Sequence, residues 1–428
     1  MNKGVMPGLE ELYVISCPEF TTLPNGWESD LPDLKQVGLM NASSKIMQQL
    51  CAVADVDYQP TIQAAKASRI EVDDSKLFVG KIYNKFTLED APILELPCEL
   101  VNLFNLRYLN LTRTKVKELP KYIGKLSNLQ SLIAKETQIK ELPPGIVKLK
   151  NLRHLVAFCY NDNIVEFEIL GSGIRVPSNI CSLEQLQVLS TVEARGNLIK
   201  QLSRMTQLTS LTIVMVKEAD YENLCISIGN MRFLRSLGVM SCNKDEALNM
   251  DALEVAPPLL EKLFLAGRLE KIPHWFNSLH SLTFLCLHWS RLRDDFLPHI
   301  QALPNLRQLT LINAYDGERL CFLEGFQKLT SLGIAGCQLE EIVMNKGVMP
   351  GLEELYVGSC PEFMTLPHGW ESDLPALKQV SLANVSGKIM QGFCAAANRG
   401  YQPTIQIVEA SRIEVEDSKF VWHYKFSS

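Results

Sequence analysis

The motif Leu-x-x-Leu-x-Leu recurs along this chain, and recurrence at a near-constant period constrains the fold more than any other feature. Leu106, Leu109 and Leu111 (LRYLNL) open the clearest series, and Leu129, Leu152, Leu186, Leu208, Leu234, Leu260, Leu282, Leu306, Leu329, Leu352 and Leu377 begin later members, mostly about 22–26 residues apart. Within each member, apolar residues at the fourth and sixth places alternate with polar neighbours, the period-two pattern of a short strand with one buried face. About eight residues after the strand an apolar residue precedes proline, as at Leu96, Leu119, Leu142, Ile272 and Leu366. Proline fixes φ and has no N–H to donate, so these positions suit an irregular outer turn better than a hydrogen-bonded strand.

That period falls in the leucine-rich-repeat range. The expected fold is an α/β leucine-rich-repeat solenoid, with a curved parallel β-sheet on the concave face and an irregular, short-helical convex side. Twelve strands at about 4.8 Å spacing give an arc on the order of 55 Å. Aligning TLEDAPILELP with NLTRTKVKELP adds one more repeat upstream, with Tyr83, Phe86 and Leu88 as its strand. After Leu155 the stretch CYNDNIVEFEILGSGIRV lengthens one repeat by about ten residues, which reads as a surface excursion.

The chain also copies itself. Residues 1–77 lie over 344–420 without a gap, with roughly three positions in four identical, far more than a repeat consensus produces. Three segments follow: a duplicated copy at 1–82, the main repeat array at 83–384 and a C-terminal cap at 385–428. In the front copy Leu9, Leu12 and Val14, then Leu34, Val37 and Leu39, should form two strands. Its tail should close on itself and leave Tyr83 imperfectly covered, because a stack is polar and needs different covers at its two ends.

The 428 residues are 46% hydrophobic, enough for a large core, and carry a formal net charge of −6 with both signs interspersed. No nucleic-acid partner is expected from that balance, and attraction to an anionic membrane should be weak. No apolar run is long enough for a membrane span or resembles a signal peptide, so a cytoplasmic location is expected. The twelve cysteines form no C-x-x-C pair. Cys17, Cys242, Cys337 and Cys360 share one place after the strand, filled by Thr114 and Thr137 elsewhere, where a small inward side chain bonds backbone of a neighbouring turn. The seven histidines show no zinc spacing and no Ser-His-Asp or Cys-His set stands out, so neither a metal, a cofactor nor catalysis is expected.

One resemblance is more specific. LPCELVNLFNLRYLNLTRTKVKELPKYIGKLSNLQSL, followed by TQIKELPPGIVKLKNLRHLVAF, resembles the repeat region of cereal-type plant disease-resistance proteins of the coiled-coil, nucleotide-binding, leucine-rich-repeat (NLR) class, and the likeness runs from Tyr83 to Ser428. It implies a recognition module in defence, binding a pathogen effector, a guarded host protein or a full-length NLR. Such receptors switch on a nucleotide held by a glycine-rich loop, and G-x-x-x-x-G-K-[ST] does not occur here. This chain is therefore expected to recognise a partner without switching by itself. The alternative is a repeat scaffold outside immunity, such as a ubiquitin-ligase substrate receptor or a small-GTPase regulator.

Alternation along the strands puts every second side chain on the concave face. The expected partner-binding residues are Tyr108, Arg153, His154, Phe158, Arg235, Phe264, Phe284, His288, Trp289, Arg307, Gln308 and Tyr356. Exposed aromatics and arginines dominate the energetics of protein interfaces, which places the centre of this patch at Phe264, Phe284, His288, Trp289 and Arg307. The competing reading is that the aromatics only pack on one another across neighbouring strands.

Overall fold

A computed structural model describes residues 85–159, 173–360 and 374–383 apart from 92, 97, 294, 295 and 337, together with 362, 363, 385 and six strand segments nearer the termini. The chain divides into two compact units, Met1–Asn163 with Gly171–Leu198 and Ile164–Leu170 with Ile199–Ser428.

In the first unit the strands are β1 Glu11–Ile15, β2 Gln36–Met40, β3 Thr61–Ala65, β4 Lys85–Thr87, β5 Tyr108–Asn110, β6 Ser131–Thr137, β7 His154–Cys159 and β8 Val188–Glu193. Each pairs in parallel with the next, and equivalent repeat positions meet: Phe86 with Leu109, Leu109 with Leu132, Leu132 with Leu155 and Leu155 with Leu189. These five side chains are buried on one face, as the period-two pattern requires. Burying each is worth about 1.5–3 kcal/mol, so the ladder of equivalent leucines fixes the register against a slip that would turn the whole set to solvent.

The strands expected in the front copy form as β1 and β2. Its tail differs from expectation, because β3 runs on in register with β4, pairing Ile62 with Phe86, and Phe86 is buried. A parallel strand offers hydrogen-bonding groups along both edges, and β4 takes up the outer edge of β3. Tyr83 and the excursion at 160–172 lie outside the described residues.

The second unit holds β9 Ser210–Val216, β10 Ser236–Ser241, β11 Lys262–Ala266, β12 Phe284–His288, β13 Gln308–Ile312, β14 Arg319–Phe322, β15 Ser331–Ala335, β16 Glu341–Met344, β17 Glu354–Gly358, β18 Gln379–Ala383, β19 Thr404–Ile407, β20 Glu409–Glu416 and β21 Lys419–Lys425. A parallel ladder joins β9 to β10, β11, β12, β13, β15, β17, β18 and β19 in turn. On the flank β14 and β16 make a small parallel sheet, and β20 and β21 form an antiparallel pair.

Prolines sit where an outer turn needs them. Pro143 (φ −66°) and Pro273 (φ −59°) each immediately precede a 3₁₀ turn, Pro144–Lys148 and His274–Ser278. The strand exits share a device that the residue types do not announce. Two places past the last inward apolar residue of the motif the backbone turns left-handed, at Asp90, Arg113 and Glu136 in the first unit and at Trp289, Asn313, Gly336 and Ser359 in the second. There the N–H reaches one more carbonyl of the following repeat, as from Arg113 to Lys135 (2.9 Å), Trp289 to Ile312 (2.8 Å) and Asn313 to Ala335 (2.8 Å). Continuing the ladder by one bond offsets part of the left-handed cost, which is on the order of 1–2 kcal/mol for a residue with a Cβ.

The small inward side chains also find backbone partners. Thr114 Oγ1 donates to Leu111 O (2.8 Å), Thr137 Oγ1 to Ala134 O (3.2 Å) and Cys360 Sγ to Gly358 O (3.3 Å), all within their own turn. Cys242 Sγ reaches the preceding repeat at Met215 O (3.1 Å). Cys17 and Cys337 lie outside the described residues.

Candidate functional site

Alternation places the expected binding residues largely where the sequence put them, but the two units treat them differently. In the second unit Phe264, Phe284, His288 and Tyr356 lie on the inner face of the sheet, opposite the leucine ladder, yet they are 5%, 4%, 0% and 6% exposed. Phe264, Phe284 and Tyr356 belong to an apolar cluster with Val214, Met240, Cys286 and Ile312. The expectation that these four side chains face solvent is therefore corrected.

The physical reason is an alternation of large and small residues across neighbouring strands. Gly238 stands beside Phe264, and Gly333 beside Tyr356, in the strand pairing. The Tyr356 ring also folds over Gly358, where an added Cβ would fall 2.2 Å from Tyr356 Oη. Phe264 and His288 meet with ring centroids 6.3 Å apart. Cys286 is fully buried in this cluster, and burial pushes its thiol well above the ordinary range.

Trp289 is half-buried against the same cluster, in left-handed backbone. Lys244 Nζ stands 4.6 Å and Arg291 Cζ 5.8 Å from its ring centroid, and Arg291 pairs with Asp245 at 2.8 Å. Arg235 and Arg307 are exposed directly before their strands, Arg235 paired with Glu261, and Gln308 is half-buried.

The inner face of β4 to β8 is more open. In register across these strands run Lys85, Tyr108, Ser131, His154 and Val188, then Asn110, Ile133, Val156 and Ser190, then Lys135 and Phe158. All are half-buried except Asn110, which is buried, and Arg153 is exposed at the edge. Lys85 Nζ lies 4.8 Å from the Tyr108 ring centroid, and burial, with Glu89 nearby, raises the Tyr108 hydroxyl above its ordinary value. His154 Nδ1 is 2.8 Å from Ser131 Oγ, and burial followed by the Arg153 charge lowers its pKa. At the rim Arg113 grips Asp90 through Nε (2.7 Å) and Nη2 (2.9 Å), with Glu89 also at 2.8 Å. The structure thus brings Tyr108, His154, Phe158 and Arg153 together with Ile133 and Lys135, which sequence reasoning passed over although the same alternation marks them.

No helix among the described residues is long and apolar enough to cross a membrane, and no group of three or more His, Cys, Asp or Glu there could hold a metal ion. One sequence expectation fails locally. The signs are not interspersed everywhere, since residues 107–153 carry eleven Lys and Arg against three Glu.

Comparison with known proteins agrees with this architecture. A family described as leucine-rich repeat region matches residues 97–398. The disease resistance protein RPM1 of Arabidopsis thaliana is 43% identical over 220 residues, covering 51% of this chain and 24% of that protein. The probable disease resistance RPP8-like protein 4 of Arabidopsis thaliana is 28% identical over 209 residues, covering 48% of this chain and 23% of that protein. The chain therefore spans about a quarter of the length of these relatives. Among solved structures, a leucine-rich-repeat protein of Leptospira interrogans superposes with a TM-score of 0.54 at 21% identity, covering 90% of this chain and 93% of that one, a likeness of fold alone.

Proposed function

Because the chain belongs to the leucine-rich-repeat family that matches residues 97–398, we propose that it is the recognition module of a plant disease-resistance protein, working in the cytoplasm and without catalysis. The partner is a pathogen effector, a guarded host protein or a full-length NLR, met on the inner face of β4 to β8. The observation that carries this reading is the half-open row of Tyr108, His154 and Phe158 beside the exposed Arg153. Aromatic and arginine side chains that still have surface to lose are the groups from which interface hot spots are built. Their equivalents Phe264, Phe284 and Tyr356 have already lost theirs to neighbouring strands. The similarity to RPM1 and the RPP8-like protein supports the defence setting.

The test is a panel of candidate effectors and host proteins measured by surface plasmon resonance against the chain and its Tyr108→Ala/His154→Ala/Phe158→Ala variant. A partner should bind the wild type, and the variant should weaken it by tenfold or more, since one hot spot is worth about 2 kcal/mol. Unchanged affinity in a folded variant would remove the inner face of β4 to β8 from the reading.

A further inference from the structure

The net charge of −6 conceals a region of opposite sign. Within 107–153 the three arginines, Arg107, Arg113 and Arg153, stand beside strands, whereas most of the lysines stand on the outer turns. Two of those turns, Ile123–Lys125 and Pro144–Lys148, approach backbone to backbone. A Cβ on Gly124 would lie 2.5 Å from Gly145 O, and one on Gly145 would lie 2.9 Å from Lys121 O. Glycine at both places lets the turns touch, and the Lys148 side chain then passes over Gly124. Hydrogen bonds from Lys115 N to Ile93 O (3.1 Å) and from Gln138 N to Val116 O (2.9 Å) stack the adjoining turns, on which Lys117 and Lys140 hold equivalent places.

The outcome is one strip of Lys117, Lys121, Lys125, Lys140 and Lys148 around Tyr122. All five lysines are exposed, and none has an acidic partner among the described residues. Glu141 is engaged by Arg175 at 3.2 Å, and Glu118, with Glu95 at the equivalent place one repeat upstream, supplies the acids at the end of the strip. Tyr122 is 71% exposed, with Lys125 Nζ 5.5 Å from its ring centroid.

We propose that this strip docks the protein peripherally on an anionic lipid surface. Three properties select that partner. The cations are all lysine, which binds as a hydrated point charge, whereas discrete carboxylates and phosphates are gripped by the planar fork of arginine. Lysine is depleted at protein–protein interfaces, so a lysine strip is a poor protein contact. The strip carries one aromatic ring, Tyr122, where a nucleic-acid strand is held by a row of stacking platforms, while a broad negative surface attracts every lysine that comes near it. A tyrosine projecting from its centre suits the headgroup layer, where amphipathic rings settle.

The experiment is co-sedimentation of the full chain with vesicles of phosphatidylcholine and phosphatidylserine, beside vesicles of phosphatidylcholine alone, at low and high salt. Wild-type protein should partition onto the phosphatidylserine vesicles at low salt, stay off phosphatidylcholine and be released by salt. Each lysine is worth about fivefold in partition, so Lys121→Gln/Lys125→Gln/Lys148→Gln should lose roughly a hundredfold. All three sites are exposed, and an unchanged melting midpoint verifies the fold. Tyr108→Ala/His154→Ala/Phe158→Ala should keep wild-type vesicle binding, which separates this proposal from the recognition reading. Full binding by the lysine variant overturns it. So does a wild type that ignores these vesicles yet binds polyglutamate or a uridylate oligonucleotide, which would assign the strip to an acidic protein or to nucleic acid.

Discussion

His154 Nδ1 lies 2.8 Å from Ser131 Oγ, joining β6 to β7 on the inner face, and His154 is the residue there whose charge can change near neutral pH. Burial, and then the neighbouring Arg153 charge, hold its pKa below the ordinary 6.5. The unfolded chain therefore takes up the proton more readily than the folded one. Stability from the neutral ring is complete above the unfolded pKa and is lost as pH falls towards the folded value. The urea midpoint should drop between pH 7.5 and 5.5 by more in wild type than in His154→Gln, and His154 should titrate below 6.5 by NMR. Equal drops in the two proteins would contradict this.

Phe264 and Phe284 should behave as core residues. Each is about 95% buried, so Phe284→Ala should cost about 3–5 kcal/mol in chemical denaturation, the loss of a packed ring plus the cavity it leaves. A change below about 1 kcal/mol would restore the ring to the surface and to the list of contact candidates.

Gly336 (φ +68°) occupies the left-handed exit that Asn313 and Ser359 occupy in adjacent repeats. Its missing Cβ would lie 2.4 Å from Asn313 Oδ1. Gly336→Ala should destabilise by about 1–3 kcal/mol through strain and displacement of Asn313. Ser359→Gly should be neutral or stabilising by up to about 1 kcal/mol, because relief of left-handed strain is set against the extra freedom of an unfolded glycine. Thermal melts of the two variants moving in the same direction would refute the exit device.

Trp275 is buried and donates from Nε1 to Met250 O at 2.9 Å, across adjacent repeats. Trp275→Phe should cost about 1–3 kcal/mol, mainly by orphaning the buried carbonyl. The denaturation midpoint should fall without a change in its slope.

We propose the segment boundaries near 82 and 384 as the joints of the chain, with the first open to test by protease. Cleavage between Asp73 and Asn84 should come early, since the copied sequence ends there and no repeat leucine falls between those residues. The two pieces should co-elute under native conditions and separate in denaturant, because β3 pairs with β4. Separate elution without denaturant would mean that this pairing does not hold them.

The sequence by itself determined the architecture. Its leucines recur at a period that admits one way of stacking, so Leu109 meets Leu132 and Leu285 meets Leu309, and the prolines fall on the outer turns. It also assigned Tyr108, His154, Phe264 and Phe284 to the inner face, because alternation along a strand is a local property. Tertiary structure decided which of them keep surface. Whether a ring lies open or flat depends on the residue one strand away, such as Gly238 beside Phe264, and neighbours in the parallel ladder stand more than twenty positions apart in the sequence. The lysine strip was decided in the same way. Its charges are legible in the letters, but their meeting on one surface depends on the backbone approach of Gly124 to Gly145. Side-chain direction follows from the backbone next door, whereas exposure is a property of packing, which no single repeat contains.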